Sequence, residues 1–199
     1  AVVAVAAEDL LGTLIACGDK GVRGAVLLTP TAEAPADLVA TARRFGMRLI
    51  GPGALGAVNT ASAVRLHASP LVGVVAPGPI GFLSQSGSLA TALLQRAGIF
   101  GLGFSSVVSV GAEADLYAND LLQYWEHDEA TRVIALYLQS FGNPRKFSRI
   151  ARRVSRAKPI VAVKSGRAPV DHSSEEWPDD MLDALMRQTG VIRVDTTEE

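Results

Sequence analysis

A single cysteine, Cys17, stands in 199 residues. It has no partner for an internal disulfide and cannot anchor a cysteine-rich zinc site, so a reducing, cytoplasmic setting is expected. Aromatic residues make up only 6% of the chain against 48% apolar content, which leaves aliphatic side chains to fill the interior, as buried parallel strands require. Charge of either sign is not in excess, and a formal net charge of −1 gives no electrostatic case for nucleic acid or an anionic membrane as partner. Every apolar run is broken by charge or glycine well short of the roughly 18 residues of a spanning helix. No basic flank precedes the apolar start Ala1 to Ala7, so a signal-peptide pattern is missing too. His67 and His127 are far from each other and from Cys17 in the chain, and no metal site is expected from them. There is no internal repeat or low-complexity tract.

What the chain does have is strand and helix patterns in alternation. Strands are predicted at 1–7, 22–29, 47–50, 80–84, 104–110, 133–139, 160–164 and 191–194, and helices at 9–20, 35–45, 87–97, 114–127, 144–157 and 178–188. Strands joined by helical crossovers imply an α/β fold with parallel pairing. Gly46, Gly98 and Gly190 fall where helices should stop, and Asn143-Pro144 suits a cap followed by a first helical residue. The stretch 51–79, rich in Gly, Pro, Ala and Ser, has weak periodicity, and a domain boundary is placed within it, near Pro70. The rear part then has five strands, a complete small doubly wound domain. Three strands in front would leave an apolar sheet edge, and with no Met at position 1 the missing strands are expected to precede Ala1.

The most informative segment is Ile80-Gly-Phe-Leu-Ser-Gln-Ser-Gly-Ser-Leu-Ala90, an apolar run that ends in small polar residues just before an amphipathic helix. A helix start leaves N–H groups without partners and carries partial positive charge, so Ser86, Gly87 and Ser88 can seat a phosphate. An ordinary strand-to-helix turn with a serine cap is the plainer alternative. Lys164 and Arg167 follow another strand, and ligands of parallel sheets collect at the carboxyl ends of strands; both are expected to line the same crevice. The helix-spaced arginines 149, 152, 153 and 156 read as a solvated face. Trp125 and Trp177 read as packing residues.

An ordered set of short segments resembles the α-type half of the nucleoside-diphosphate-forming acyl-CoA synthetases, the superfamily of succinyl-CoA synthetase. The segments are Arg48-Leu-Ile-Gly-Pro52 with Leu55-Gly56 and Val58-Asn59, then Gly81-Phe-Leu-Ser-Gln-Ser-Gly-Ser88, Asp115 with Asn119-Asp-Leu-Leu122, Asp128-Glu-Ala-Thr131, Ile134 to Ser140, Lys158 to Arg167 and Gly190-Val-Ile-Arg-Val194. The wording of Asn119–Trp125 and Phe141–Phe147 is most similar to actinobacterial fusions with a GNAT-type acetyltransferase. The resemblance implies residues 1–70 as the rear of a Rossmann-like CoA-binding domain, with Gly51 and Pro52 near the coenzyme. It implies 71–199 as a flavodoxin-like domain that presents Ser86-Gly87-Ser88 to a phosphohistidine. It further implies CoA or acyl-CoA and phosphate as ligands, and ATP/ADP with Mg held by an ATP-grasp domain outside this chain.

Several positions depart from the family pattern. His172, the histidine nearest the family's phosphorylated one, sits in Val170-Asp-His-Ser-Ser-Glu-Glu176, without flanking glycines and beside two carboxylates. Gln139 replaces the family's glutamate, and a neutral amide can orient an imidazole but cannot stabilise an imidazolium by charge. Gly53-Ala54 replaces Asn-Cys, and Ala112-Glu113 replaces Gly-Asn. Two functions therefore stay open: the CoA-ligase half of a synthetase, with His172 and Gln139 catalytic, or a degenerate CoA-sensing module that controls a fused acetyltransferase. A generic mononucleotide-binding flavodoxin-like domain is the third.

Overall fold

The structure is a computed structural model that describes residues 1–31, 36–71, 75–164 and 179–196. Its first sheet is wholly parallel, in the order β1 (Val2–Val3), β2 (Gly24–Leu27), β3 (Arg48–Ile50). A 3-10 turn at Ala7–Asp9 leads into α1 (Leu10–Asp19), and α2 (Ala36–Arg44) precedes β3. Leu10 and Leu14 of α1, Leu38 of α2, and Leu27, Met47 and Leu49 bury into one apolar cluster. Gly46, at φ +65°, turns the chain out of α2 through a left-handed conformation that costs glycine little.

The second sheet holds the rest: β4 (Gly56–Asn59), β5 (Leu66–Ala68), β6 (Pro77–Ser84), β7 (Phe104–Ser109), β8 (Val133–Leu138), β9 (Ile160–Lys164) and β10 (Val191–Val194). Between these strands run α3 (Gly87–Ile99), α4 (Ala118–His127), α5 (Pro144–Val154) and α6 (Asp179–Thr189). Spatial order is β10-β9-β8-β6-β7-β4-β5. Taken alone, the five parallel strands β6 to β10 run 2-1-3-4-5, the flavodoxin-like order, whose switch point lies between the first and third strands.

The segment 51–79, expected to lack regular structure, instead contributes β4 and β5. β4 pairs antiparallel with β7 (Val58 opposite Val107) and β5 antiparallel with β4. Both lie before Pro70 in sequence yet belong to the sheet that follows it. Their pairing is dictated by the free edge of β7, which no local periodicity announces.

Helices cover both faces. Leu83, Ile134, Leu136 and Leu138 meet Leu122, Trp125, Phe147 and Ile150 of α4 and α5 on one side, while Phe82, Phe104 and Val107 meet Ala90 and Ala97 of α3 on the other. Phe82 and Leu83 point to opposite faces, as strand alternation requires. Trp125 is fully buried and donates its indole N–H to Ser106 Oγ at 2.8 Å. Lys158 caps the end of α4, donating to the carbonyls of Trp125 and Asp128, where a cation complements the exposed carbonyls. Arg149, Arg152, Arg153 and Arg156 lie on the outer side of α5 and the turn after it, Arg153 in a bidentate pair with Glu126.

The two sheets meet at Asp115, in the loop after β7. Its carboxylate accepts from Arg48 Nε at 2.7 Å and from the Leu49 amide at 3.0 Å, with Arg43 at 3.6 Å. Beside it, the amides of Ala112 and Ala114 donate to the carbonyls of Pro52 and Gly51 at 2.9 and 3.2 Å. Burial works to raise the Asp115 carboxyl, but the bonds from Arg48 and Leu49 with the nearby guanidinium charges outweigh it and hold it below the usual range.

Candidate functional site

Ser84 ends β6 and Gly87 begins α3, so the small polar run falls at the carboxyl edge of the sheet, beside the switch point. Ser86 is the N-cap (φ −117°, ψ 118°), its hydroxyl accepting from Leu89 N. Ser84 Oγ donates to the Ser86 carbonyl at 2.7 Å and accepts from the Ser86 amide at 3.1 Å, which closes a tight local turn. The amides of Gly87 and Ser88 make no hydrogen bond to any described residue. The hydroxyls of Ser86 and Ser88 approach each other at 3.3 Å, and Ser88 is exposed. Two N–H groups without a partner among the described residues and two hydroxyls at the start of a thirteen-residue helix are the groups with which a helix start can receive an oxyanion. A β-carbon on Gly87 would sit 3.4 Å from the Leu55 side chain, so one side of the turn is walled by the loop after β3.

The other predicted residues distribute around this edge. Gln139 and Ser140 follow β8, the neighbour of β6, and both are exposed. Lys164 ends β9 in register with Leu138, two strand spacings or about 10 Å from β6. Gly51 and Pro52 are buried and give their carbonyls to the Ala114 and Ala112 amides, so the structure shows them joining the two sheets. Gly53, next to Pro30 at the carboxyl edge of the first sheet, is exposed, and its amide donates to the Thr29 carbonyl at 2.9 Å. Arg167, His172 and Trp177 lie outside the described residues.

Two residues sit at the centre of this arrangement: Gln85, with no assigned part in the sequence reading, and Glu113, noted there only as part of the Ala112-Glu113 departure from the family's Gly-Asn. Gln85 is 8% exposed. Its Oε1 accepts from the amides of Gln139 and, at 2.8 Å, Ser140, and its Nε2 donates to the Ser140 carbonyl at 2.9 Å and to Glu113 Oε2 at 2.7 Å. Glu113 accepts from the Ala118 amide with its other oxygen, at 3.2 Å. It stands at φ +51°, a left-handed conformation uncommon for a side chain of this size. Burial pushes its carboxyl up, while the bonds from Gln85 and Ala118 pull it down and the Asp120 charge raises it further; the net direction is upward. Glu113 and Ser140 also border a cavity of about 620 Å³ between α2 and these loops, with Arg43, Tyr117 and Gly142. The one signal in the sequence is a polar residue between two serines at the end of an apolar strand. Its partners, 28 and 55 residues away, are not visible there.

A flavodoxin-like order of parallel strands with a helix start at its switch point defines the flavodoxin-like class of α/β domains. Residues 77–199 match the succinyl-CoA ligase-like flavodoxin domain, and the chain belongs to that family. Over its whole length it is 35% identical to the alpha subunit of ADP-forming acetate–CoA ligase I of Pyrococcus furiosus, covering 46% of that subunit. It is 36% identical over 92% of its length to the ADP-forming acetate–CoA ligase of Methanocaldococcus jannaschii, covering 27% of it. Among solved structures, the dinucleotide-forming acetyl-coenzyme A synthetase 1 of Ca. Korarchaeum cryptofilum, in complex with phosphate and ADP, superposes with a TM-score of 0.87 at 32% identity, over 99% of this chain and 45% of that one. The chain thus spans less than half the length of these relatives. Among the described residues, no helix is long and apolar enough to cross a membrane.

Proposed function

We propose that this chain is the CoA-ligase half of an NDP-forming acid–CoA ligase and carries out phosphoryl transfer at the Ser86–Ser88 turn. The observation that carries the reading is the pair of amides on Gly87 and Ser88, at the switch point, that bond to no described residue. The names of the relatives support it, ligases that form ADP, as does the phosphate in the complex of the superposed synthetase. Phosphate displaces CoA from an acyl-CoA to give an acyl phosphate. The phosphoryl group then passes to a ring nitrogen of His172 with release of the acid, and from there to a nucleoside diphosphate. The amides and hydroxyls of the turn offset charge on the phosphoryl oxygens, which is where catalysis of this transfer acts. Lys164 and Arg167 supply cations, and the Gln139 amide orients the imidazole.

In this reading residues 1–70 are the rear of a Rossmann-like CoA-binding domain and 71–199 a succinyl-CoA synthetase-like flavodoxin domain, with 56–68 lent by the first to the sheet of the second. The coenzyme lies over the carboxyl ends of β1 to β3, near Gly51, Pro52 and the exposed Gly53. The nucleotide, with Mg, is held by an ATP-grasp domain or subunit outside this chain. A second reading, a CoA-sensing module joined to a GNAT-type acetyltransferase, is favoured by the neutral Gln139 and by the altered sequence around His172.

Incubating the full-length protein with labelled nucleoside triphosphate separates the two. Transfer predicts acid-labile, base-stable phosphate that disappears in His172→Ala. An unlabelled protein that still binds acyl-CoA would sink the transfer reading in favour of the sensor.

A further inference from the structure

We propose that Gln85 and Glu113 form a positioning clamp that holds the Ser86–Ser88 turn and the Gln139–Ser140 loop in fixed relation across the switch point. The inference rests on the reading of that turn as the phosphate seat.

Backbone pairing of β6 with β8 reaches Ser84 and Tyr137 and ends with one further bond, Gln85 N to the Tyr137 carbonyl. Beyond it the two chains part, one into α3 and the other toward α5. The Gln85 side chain spans the gap where ladder bonds have stopped. All four of its hydrogen-bonding positions are used: two amides on Oε1, and a carbonyl and a carboxylate on Nε2. A flipped amide would set Oε1 against the Ser140 carbonyl and the Glu113 carboxylate, and Nε2 against two N–H groups, so the partners dictate one orientation.

Glu113 completes the clamp, because an ionised carboxylate only accepts. It is fixed in turn by the Ala118 amide at the start of α4. The clamp therefore ties the loops after β6, β7 and β8 through one buried amide. Both side chains are spent on backbone groups of the loops and on each other, so both are positioning residues. Sheet and helices are held by their own ladders and cores, and loss of the clamp frees these loops while the fold remains.

The test uses the full-length protein and two readouts: hydrogen exchange by mass spectrometry over 139–142, and affinity for inorganic phosphate. Exchange in β6 and β8 serves as the folding control. Gln85→Ala should raise exchange at 139–142 and weaken phosphate binding, each by about tenfold, the loss of a buried hydrogen bond or two. Gln85→Glu should do the same, since it faces Glu113 with like charge. Adding Glu113→Gln should restore much of both, because Nε2 of the new glutamine can donate to the new carboxylate. A merely structural role predicts no such rescue. A double variant no better than Gln85→Glu, or unchanged exchange in Gln85→Ala while wild type binds phosphate, overturns the clamp and leaves the seat standing. Normal protection in a wild type that binds no phosphate overturns the seat, and the positioning role with it.

Discussion

Among single residues, Asp115 is the joint between the two sheets, and its charge is the part that pH can switch off. Its carboxyl is held low, so its contribution is present above the ordinary unfolded value of about 3.9 and is lost as pH falls through the lower folded value. Asp115→Asn keeps an oxygen for the Leu49 amide but loses the charge that faces Arg48. A cost of about 1 kcal/mol at neutral pH is expected, moderated because Arg48 is half exposed and screened. Denaturant unfolding at a series of pH values should show the gap between wild type and Asp115→Asn closing on acidification below about pH 4. A gap that stays constant would mean the pair contributes nothing through charge. Glu113 has the opposite sign: its raised carboxyl makes the fold gain stability as pH falls through the folded value.

At the level of elements, the strands and helices that carry strong patterns were legible in the chain. Helices expected at 87–97 and 144–157 appear as Gly87–Ile99 and Pro144–Val154, and the strand at 160–164 falls where its apolar run stands. Misses have a common cause. β4 and β5 are short and built of Gly, Ala, Asn, His and one Leu and Val, residues with no alternation of their own, and the edge of β7 recruits them. β6 starts at Pro77 and not at Ile80, with register shifts between 77 and 81 where Pro77 and Pro79 cannot donate. Packing between β6 and α4 depends on a missing side chain: a β-carbon on Gly81 would lie 2.7 Å from the Trp125 ring. Gly81→Ala should therefore cost about 1–3 kcal/mol through overpacking. Thermal unfolding checks this, and an unchanged midpoint would show that α4 shifts freely.

For the whole molecule, the site was legible in part for a definable reason. Ser86, Gly87 and Ser88 are adjacent in sequence and announce a helix start, whereas Gln85 and Glu113 become a pair only when the β6–β7–β8 topology brings their loops together. The proposed function makes one physical demand of this helix start, that the Gly87 and Ser88 amides bind a phosphate. Gly87→Pro isolates it. Proline is well tolerated at the first helical position, and Ser86 already has the extended backbone that a following proline demands. The exchange thus deletes one N–H and little else. Titration of the full-length protein with inorganic phosphate should show binding by wild type and about tenfold weaker binding by Gly87→Pro at an unchanged melting temperature. Equal affinity in the two proteins would contradict the account.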